Sequence, residues 1–166
     1  MRSMAIKVNV SKNEQDSINK ILEKSGYKPQ RRKYHCTLGF IEKAIPDEEV
    51  VPFGEAVVSE LQKEVQAHPL LFEVEGVHFL FKHVIAFTPT PSSIKILREM
   101  NVWLFEKVRE RSRGRWGLTP STIAEGFTPH MTLMRTHPID SRFEKIEQAV
   151  CSHPSFPLTE AAYVVL

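Results

Sequence analysis

Tyr34-His35-Cys36-Thr37-Leu38-Gly39-Phe40 and Pro129-His130-Met131-Thr132-Leu133-Met134-Arg135 repeat one pattern: histidine, any residue, threonine, leucine. In an extended strand successive side chains point to opposite faces. His35 and Thr37 therefore share one face, with Cys36, Leu38 and Phe40 on the other. In the second copy His130 and Thr132 stand opposite Met131 and Leu133. Each strand offers one imidazole beside one hydroxyl, backed by residues suited to a core. A single H-x-T-L is an ordinary strand with a histidine in it, but two by chance arise in roughly one sequence in several thousand of this length.

The segments around the two strands fall into matched series. A strand is expected over 4–10, where Met4, Ile6, Val8 and Val10 alternate with other residues. A turn over 11–16 then leads into a helix whose Ile18, Ile21 and Leu22 recur at helical spacing up to Gly26. A basic loop follows, and then the first motif strand over 34–42. Pro46, Asp47 and Glu48 start a second helix with apolar positions through 50–65, its first turns weakened by Pro52 and Gly54. Strands over 70–81 and 84–87 meet at a tight turn near Lys82. Ser92 or Ser93 is the expected cap of a long amphipathic helix that carries Ile94, Leu97, Val102, Leu104, Phe105 and Val108. A long loop with Gly114, Gly117, Pro120 and Gly126 leads to a strand over 127–133, a helix over 141–151 and a last strand over 156–166. Strand, helix, motif strand thus occurs twice, which predicts an internal duplication with pseudo-twofold symmetry.

Composition sets the limits. The 166 residues suit one ordinary domain, and 42% hydrophobic with 25% charged residues excludes a disordered or fibrous chain. A net charge of +2 does not by itself point to nucleic acid or membrane. The cations are clustered, however: Arg31, Arg32 and Lys33 precede the first motif, and Arg109, Arg111, Arg113 and Arg115 approach the second. Cys36 and Cys151 are the two cysteines, and neither they nor the histidines have a zinc spacing. No signal sequence and no apolar run of 18 residues is found, so the reading is a cytoplasmic protein in a reducing compartment. No metal or cofactor is called for, no protein partner is indicated, and the chain is expected to act as a monomer.

A pair of histidines suits acid–base work because imidazole has an ordinary pKa of about 6.5, so one ring can be neutral while another is charged near pH 7. Threonine hydroxyls and imidazolium are donors matched to phosphate oxygens. The constellation thus points to phosphoryl chemistry without a metal.

The two segments resemble the motifs of the 2H phosphoesterase superfamily, and in particular its LigT-like or 2′-5′ RNA ligase-like branch. The resemblance implies an α+β, bilobal, pseudo-twofold duplicated fold over residues 1–166, with antiparallel-rich sheets lining a central cleft and helices outside. It implies RNA or nucleotide phosphodiesters as substrates, with 2′,3′-cyclic phosphate hydrolysis in first place. Cleavage or joining of 2′-5′ links, and an RNA-binding module with little catalysis, are the alternatives. Carried over by position, His35 and His130 would be the catalytic pair, and Thr37 and Thr132 would hold nonbridging phosphate oxygens. Arg135, five residues after the second histidine, would contact phosphate. Strict alternation turns Arg135 away from His130, so that role requires the strand to end or bulge near Met134.

Other residues carry weaker signals. Trp116, in the glycine-rich basic loop, would either stack on a base or anchor the loop. Tyr34 and Phe127 flank the motif strands as core residues or as cleft walls. His68, His78, His83, His137 and His153 have no ligand spacing and read as structural or surface residues. Alternation turns Cys36 into the core and away from chemistry.

Overall fold

The computed structural model of the chain describes residues 1–135 and 139–166, so His137 lies outside the described residues. Strand β1 (Arg2–Val10) leads to helix α1 (Lys12–Lys24), whose cap Ser11 accepts a hydrogen bond from the Glu14 amide. The helix starts inside the expected turn because this cap satisfies one of its free amides at once. Strand β2 (His35–Ile45) and helix α2 (Val50–Ala67) follow. Pro52 and Gly54 both sit inside α2. Proline is tolerated there because first-turn amides have no partner within the helix. Gly54 lies where the helix meets the sheet: a Cβ would come within 2.7 Å of Tyr163 and 2.9 Å of Met4.

Strand β3 (Leu70–Leu80) turns through Phe81 and Lys82, both with positive φ, into β4 (Val84–Pro89). Helix α3 (Pro91–Arg111) is capped by Thr90, two or three residues earlier than expected, with Pro91 at its first position. Ser93 is turned inward instead, where its hydroxyl donates to the Leu71 carbonyl and accepts from the Glu73 amide. Two short 3-10 turns, Pro120–Thr122 and Ala124–Gly126, interrupt the loop that follows. Strand β5 is Met131–Arg135 rather than 127–133; Pro129 has no amide to give a ladder, so pairing begins after it. Helix α4 (Arg142–Ala149) and strand β6 (Ser155–Val165) complete the chain.

The six strands among the described residues pair antiparallel in one closed ring, β1-β2-β5-β4-β3-β6. Exchanging β1 with β4, β2 with β5 and β3 with β6 maps this set of pairings onto itself, so the expected pseudo-twofold order is present. The correspondence extends to irregularities. Leu38 is an extra residue in β2 opposite β1, and Leu133 is the extra residue in β5 opposite β4. Glu75 in β3 and Thr159 in β6 are a second matched pair. The two halves, β6-β1-β2 and β3-β4-β5, join along β3 and β6, from Leu70 opposite Leu158 to Glu73 opposite Ser155. On the other side they meet where Cys36 faces Met131. The expected two sheets are therefore continuous at both seams. Met4, Ile6, Val8, Leu38, Ile85, Phe87 and Leu133 are fully buried in a single core. No helix among the described residues is long and apolar enough to cross a membrane.

Candidate active site

The narrow seam between β2 and β5 brings the two motifs together. Antiparallel stepping from the Cys36–Met131 pair sets Thr37 level with His130 and His35 level with Thr132. The two histidines are then diagonal neighbours, a relationship that places such positions roughly 7–8 Å apart. His35, Thr37, His130 and Thr132 are all half-buried, while Cys36, Leu38, Met131 and Leu133 beneath them are closed to solvent.

The two imidazoles are held alike. Nδ1 of His35 lies 3.1 Å from the Lys33 carbonyl, and Nδ1 of His130 lies 3.0 Å from the Thr128 carbonyl. A carbonyl only accepts, so Nδ1 carries the proton in each ring and Nε2 is the nitrogen left for chemistry. Burial holds the pKa of His35 below the ordinary histidine range. The Lys33 carbonyl works against this, while the positive charges of Lys7, Arg32 and His130 add to it. His35 is thus biased toward its neutral form.

The bulges change which residues reach this face. An extra residue reverses the alternation after it, so Phe40 does not join Cys36 and Leu38 in the core. It lines a cavity of about 280 Å³ with Thr37, Phe81, Ser121, Thr122, Phe127, Thr128 and His130. Phe81 is 64% exposed and meets the His130 ring edge-on, at 5.6 Å between centroids. At Leu133 the same reversal buries Met134 and leaves Arg135 exposed on the side of Thr132. The bulge that Arg135 needed is present, one residue earlier than expected.

Three polar residues on these elements escaped sequence reasoning. Lys7 on β1 is the cross-strand neighbour of Thr37, and Asn9 is the neighbour of His35, so both share the histidine face. Asn9 is 4% exposed, and its Oδ1 has no hydrogen-bond partner among the described residues. Asn101 on α3 is fully buried. Its amide nitrogen donates to the carbonyls of Leu38 and Thr122, and its oxygen accepts from the Ala124 amide. It ties the cavity wall to the bulged motif strand. A polar residue at a core-facing helical position between Leu97 and Leu104 was the available signal.

Trp116 is 8% exposed, packs edge-on against Phe53 and lies under the Arg115 guanidinium. A ring so covered has no face for a base; it anchors its loop. Arg115 grips Glu49 with both nitrogens and Arg111 pairs with Glu60, so these arginines fasten the end of α3 to the α2 side. Tyr34 is a core residue whose hydroxyl donates to Asn19, whereas Phe127 walls the cavity. Cys36 is fully buried and its thiol is pushed up to about 12 by that burial. Neither His68, His78, His83 nor His153 lines the cavity.

No protein-family profile and no curated protein sequence matches the chain. Among solved structures, Kluyveromyces marxianus Usb1 with uridine monophosphate is similar, with a TM-score of 0.50 at 11% identity, covering 99% of this chain and 96% of that one. Another structure of K. marxianus Usb1 gives a TM-score of 0.43 at 10% identity over 99% and 97% of the two chains. At such identity the first likeness concerns the fold: this chain shares its α+β architecture along nearly its whole length.

Proposed function

We propose that this chain is a phosphodiesterase of the 2H type that hydrolyses 2′,3′-cyclic phosphate ends of RNA or nucleotides by paired-histidine acid–base catalysis. The observation that carries the reading is the matched hold on His35 and His130, which frees Nε2 of both rings on one face, each level with a threonine of the other strand.

The roles follow from the surroundings. His35, kept neutral, takes a proton from water through Nε2 as the water oxygen bonds to phosphorus. His130 gives its Nε2 proton to the ribose oxygen as the phosphorus–oxygen bond breaks, leaving a nucleoside monophosphate. Thr37, Thr132 and Arg135 neutralise the nonbridging oxygens. The aromatic cavity shares His130 and Thr37, and a nucleoside seated there puts the departing ribose oxygen beside His130. The Usb1 structure with uridine monophosphate supports a nucleotide as the ligand of such a fold. No metal enters this scheme.

Purified protein incubated in EDTA with the four 2′,3′-cyclic nucleotides and with 2′-5′ and 3′-5′ dinucleotides tests the reading. Opening of a cyclic nucleotide to a monophosphate is expected. Failure on the whole panel, or activity that returns only with an added divalent ion, overturns it.

A further inference from the structure

The buried Oδ1 of Asn9 lacks a hydrogen-bond partner among the described residues. An unpaired acceptor in such a place is costly and uncommon in folded proteins. Asn9 has little freedom to swing out and find water, because β1 is paired on both sides: Asn9 faces His35 on β2 and Glu160 on β6. Directly paired residues point to the same face of a sheet, with Cβ atoms roughly 4.5–5.5 Å apart. The amide of Asn9 therefore stands beside the root of the His35 imidazole, on the face that carries both histidines.

The pseudo-twofold relation sharpens this position. The pairs Lys7–Thr37, Val8–Cys36 and Asn9–His35 correspond to Ala86–Thr132, Phe87–Met131 and, one step further on, Thr88–His130. Thr88 thus has beside His130 the place that Asn9 has beside His35. Its hydroxyl is already engaged, donating to the Gly76 carbonyl at 3.4 Å. Of the two equivalent places, the one beside His35 is left with an unpaired acceptor.

The order across the sheet is Asn9 on β1, His35 on β2 and His130 on β5. In-line displacement puts the attacking water on the side of phosphorus away from the leaving oxygen, which in the proposed function is the His35 side. Asn9 lies further out on that same side. A water that gives one hydrogen to Nε2 of His35 has a second hydrogen, which needs an acceptor. Lys7, two residues back on the same face, has only donors. Glu160 is bonded to Lys33 at 2.5 Å. The Asn9 amide is the acceptor at hand, and asparagine χ2 is a broad torsion that lets Oδ1 turn toward the water.

We propose that Asn9 is a further catalytic residue, whose Oδ1 accepts the second hydrogen of the attacking water and so aims the water's lone pair at phosphorus. This rests on the proposed function, with His35 as the base. As the water oxygen bonds to phosphorus, one proton passes to Nε2 of His35 and the other stays on that oxygen, held by Asn9. The phosphorus–oxygen bond to ribose breaks, and the ribose oxygen takes its proton from Nε2 of His130. Asn9 neither gains nor loses a proton.

Methanol separates this role from a structural one, because its hydroxyl has a single hydrogen, which goes to the base and leaves none for Asn9. In a water–methanol mixture the full chain should convert a 2′,3′-cyclic nucleotide to the monophosphate and its methyl ester, whose ratio anion-exchange chromatography reads. That ratio does not depend on how much of a variant is folded. Asn9→Leu should raise the ester-to-monophosphate ratio about tenfold, the worth of one hydrogen bond, by slowing hydrolysis and not methanolysis. Asn9→Asp, which keeps an acceptor oxygen, should hold the parental ratio, and so should Thr88→Val. A ratio unchanged in Asn9→Leu, or raised as much by Asn9→Asp or Thr88→Val, overturns the role of Asn9 while cyclic phosphate hydrolysis stands. A parent that opens no cyclic nucleotide in water or in the mixture sinks the catalytic reading, and the role of Asn9 with it.

Discussion

The first motif strand and the second occupy equivalent places, carry the same histidine, threonine and bulged leucine, and hold their imidazoles by the same carbonyl two residues back. Around them the two copies differ. Lys7 and Arg32 act on His35 through their charge, while Phe40, Phe81 and Phe127 line the cavity that holds His130. What both copies share is what an acid and a base flanking one phosphorus both require. On the proposed function, what differs would give the two chemically identical rings different work.

The largest effect should come from breaking the shared part. His35→Ala and His130→Ala should each lower turnover of the preferred cyclic nucleotide by about a hundredfold or more, the usual range for loss of a general acid or base. The double variant should fall well short of the product of the two, since the rings act as a unit. Steady-state kinetics on the three proteins measures both points. Next in size, Thr37→Val or Thr132→Val should cost about tenfold, because each removes one donor and leaves the remaining phosphate contacts in place.

Part of this arrangement was legible in the sequence. The motif pair, the strand–helix–strand repeat and the inward Cys36 all follow from local pattern, as does the need for a bulge before Arg135. The bulge at Leu38 was not legible, because an extra residue is defined by the register of the partner strand, and no local feature marks it. Phe40 was misplaced for that reason. Lys7 looked like the solvent side of an amphipathic strand; only its pairing with Thr37 brings it to the site. The cap at Thr90 was missed because Ser92 and Ser93 have the same chemistry, and the inward bonds of Ser93 are tertiary. Trp116 in a basic loop read equally as a stacking platform or as an anchor, and only its tertiary contact with Phe53 decides between them.

Smaller effects sharpen the comparison between the two ends. Asn101→Ala leaves the carbonyls of Leu38 and Thr122 and the Ala124 amide without their partner. It should cost about 1–3 kcal/mol of stability in denaturant unfolding. Because the freed loop walls the aromatic end, KM should rise severalfold with a smaller change in kcat. Lys7→Met acts instead on the proton affinity of His35. Removing a positive charge makes His35 easier to protonate, so the acidic limb of the pH-rate profile should move to higher pH. The move should be modest, because burial is the larger cause of the lowered pKa and is left in place. An acidic limb that moves to lower pH would show that Lys7 does not act on the base.

The pH-rate profiles of the parent, His35→Ala and His130→Ala on a 2′,3′-cyclic nucleotide test the division of labour most directly. The parent should give a bell. Residual activity of His35→Ala should lose the acidic limb, and that of His130→Ala should lose the alkaline limb. If both variants keep near-parental activity and the full bell on every phosphodiester that the parent cleaves, the paired-histidine account is wrong.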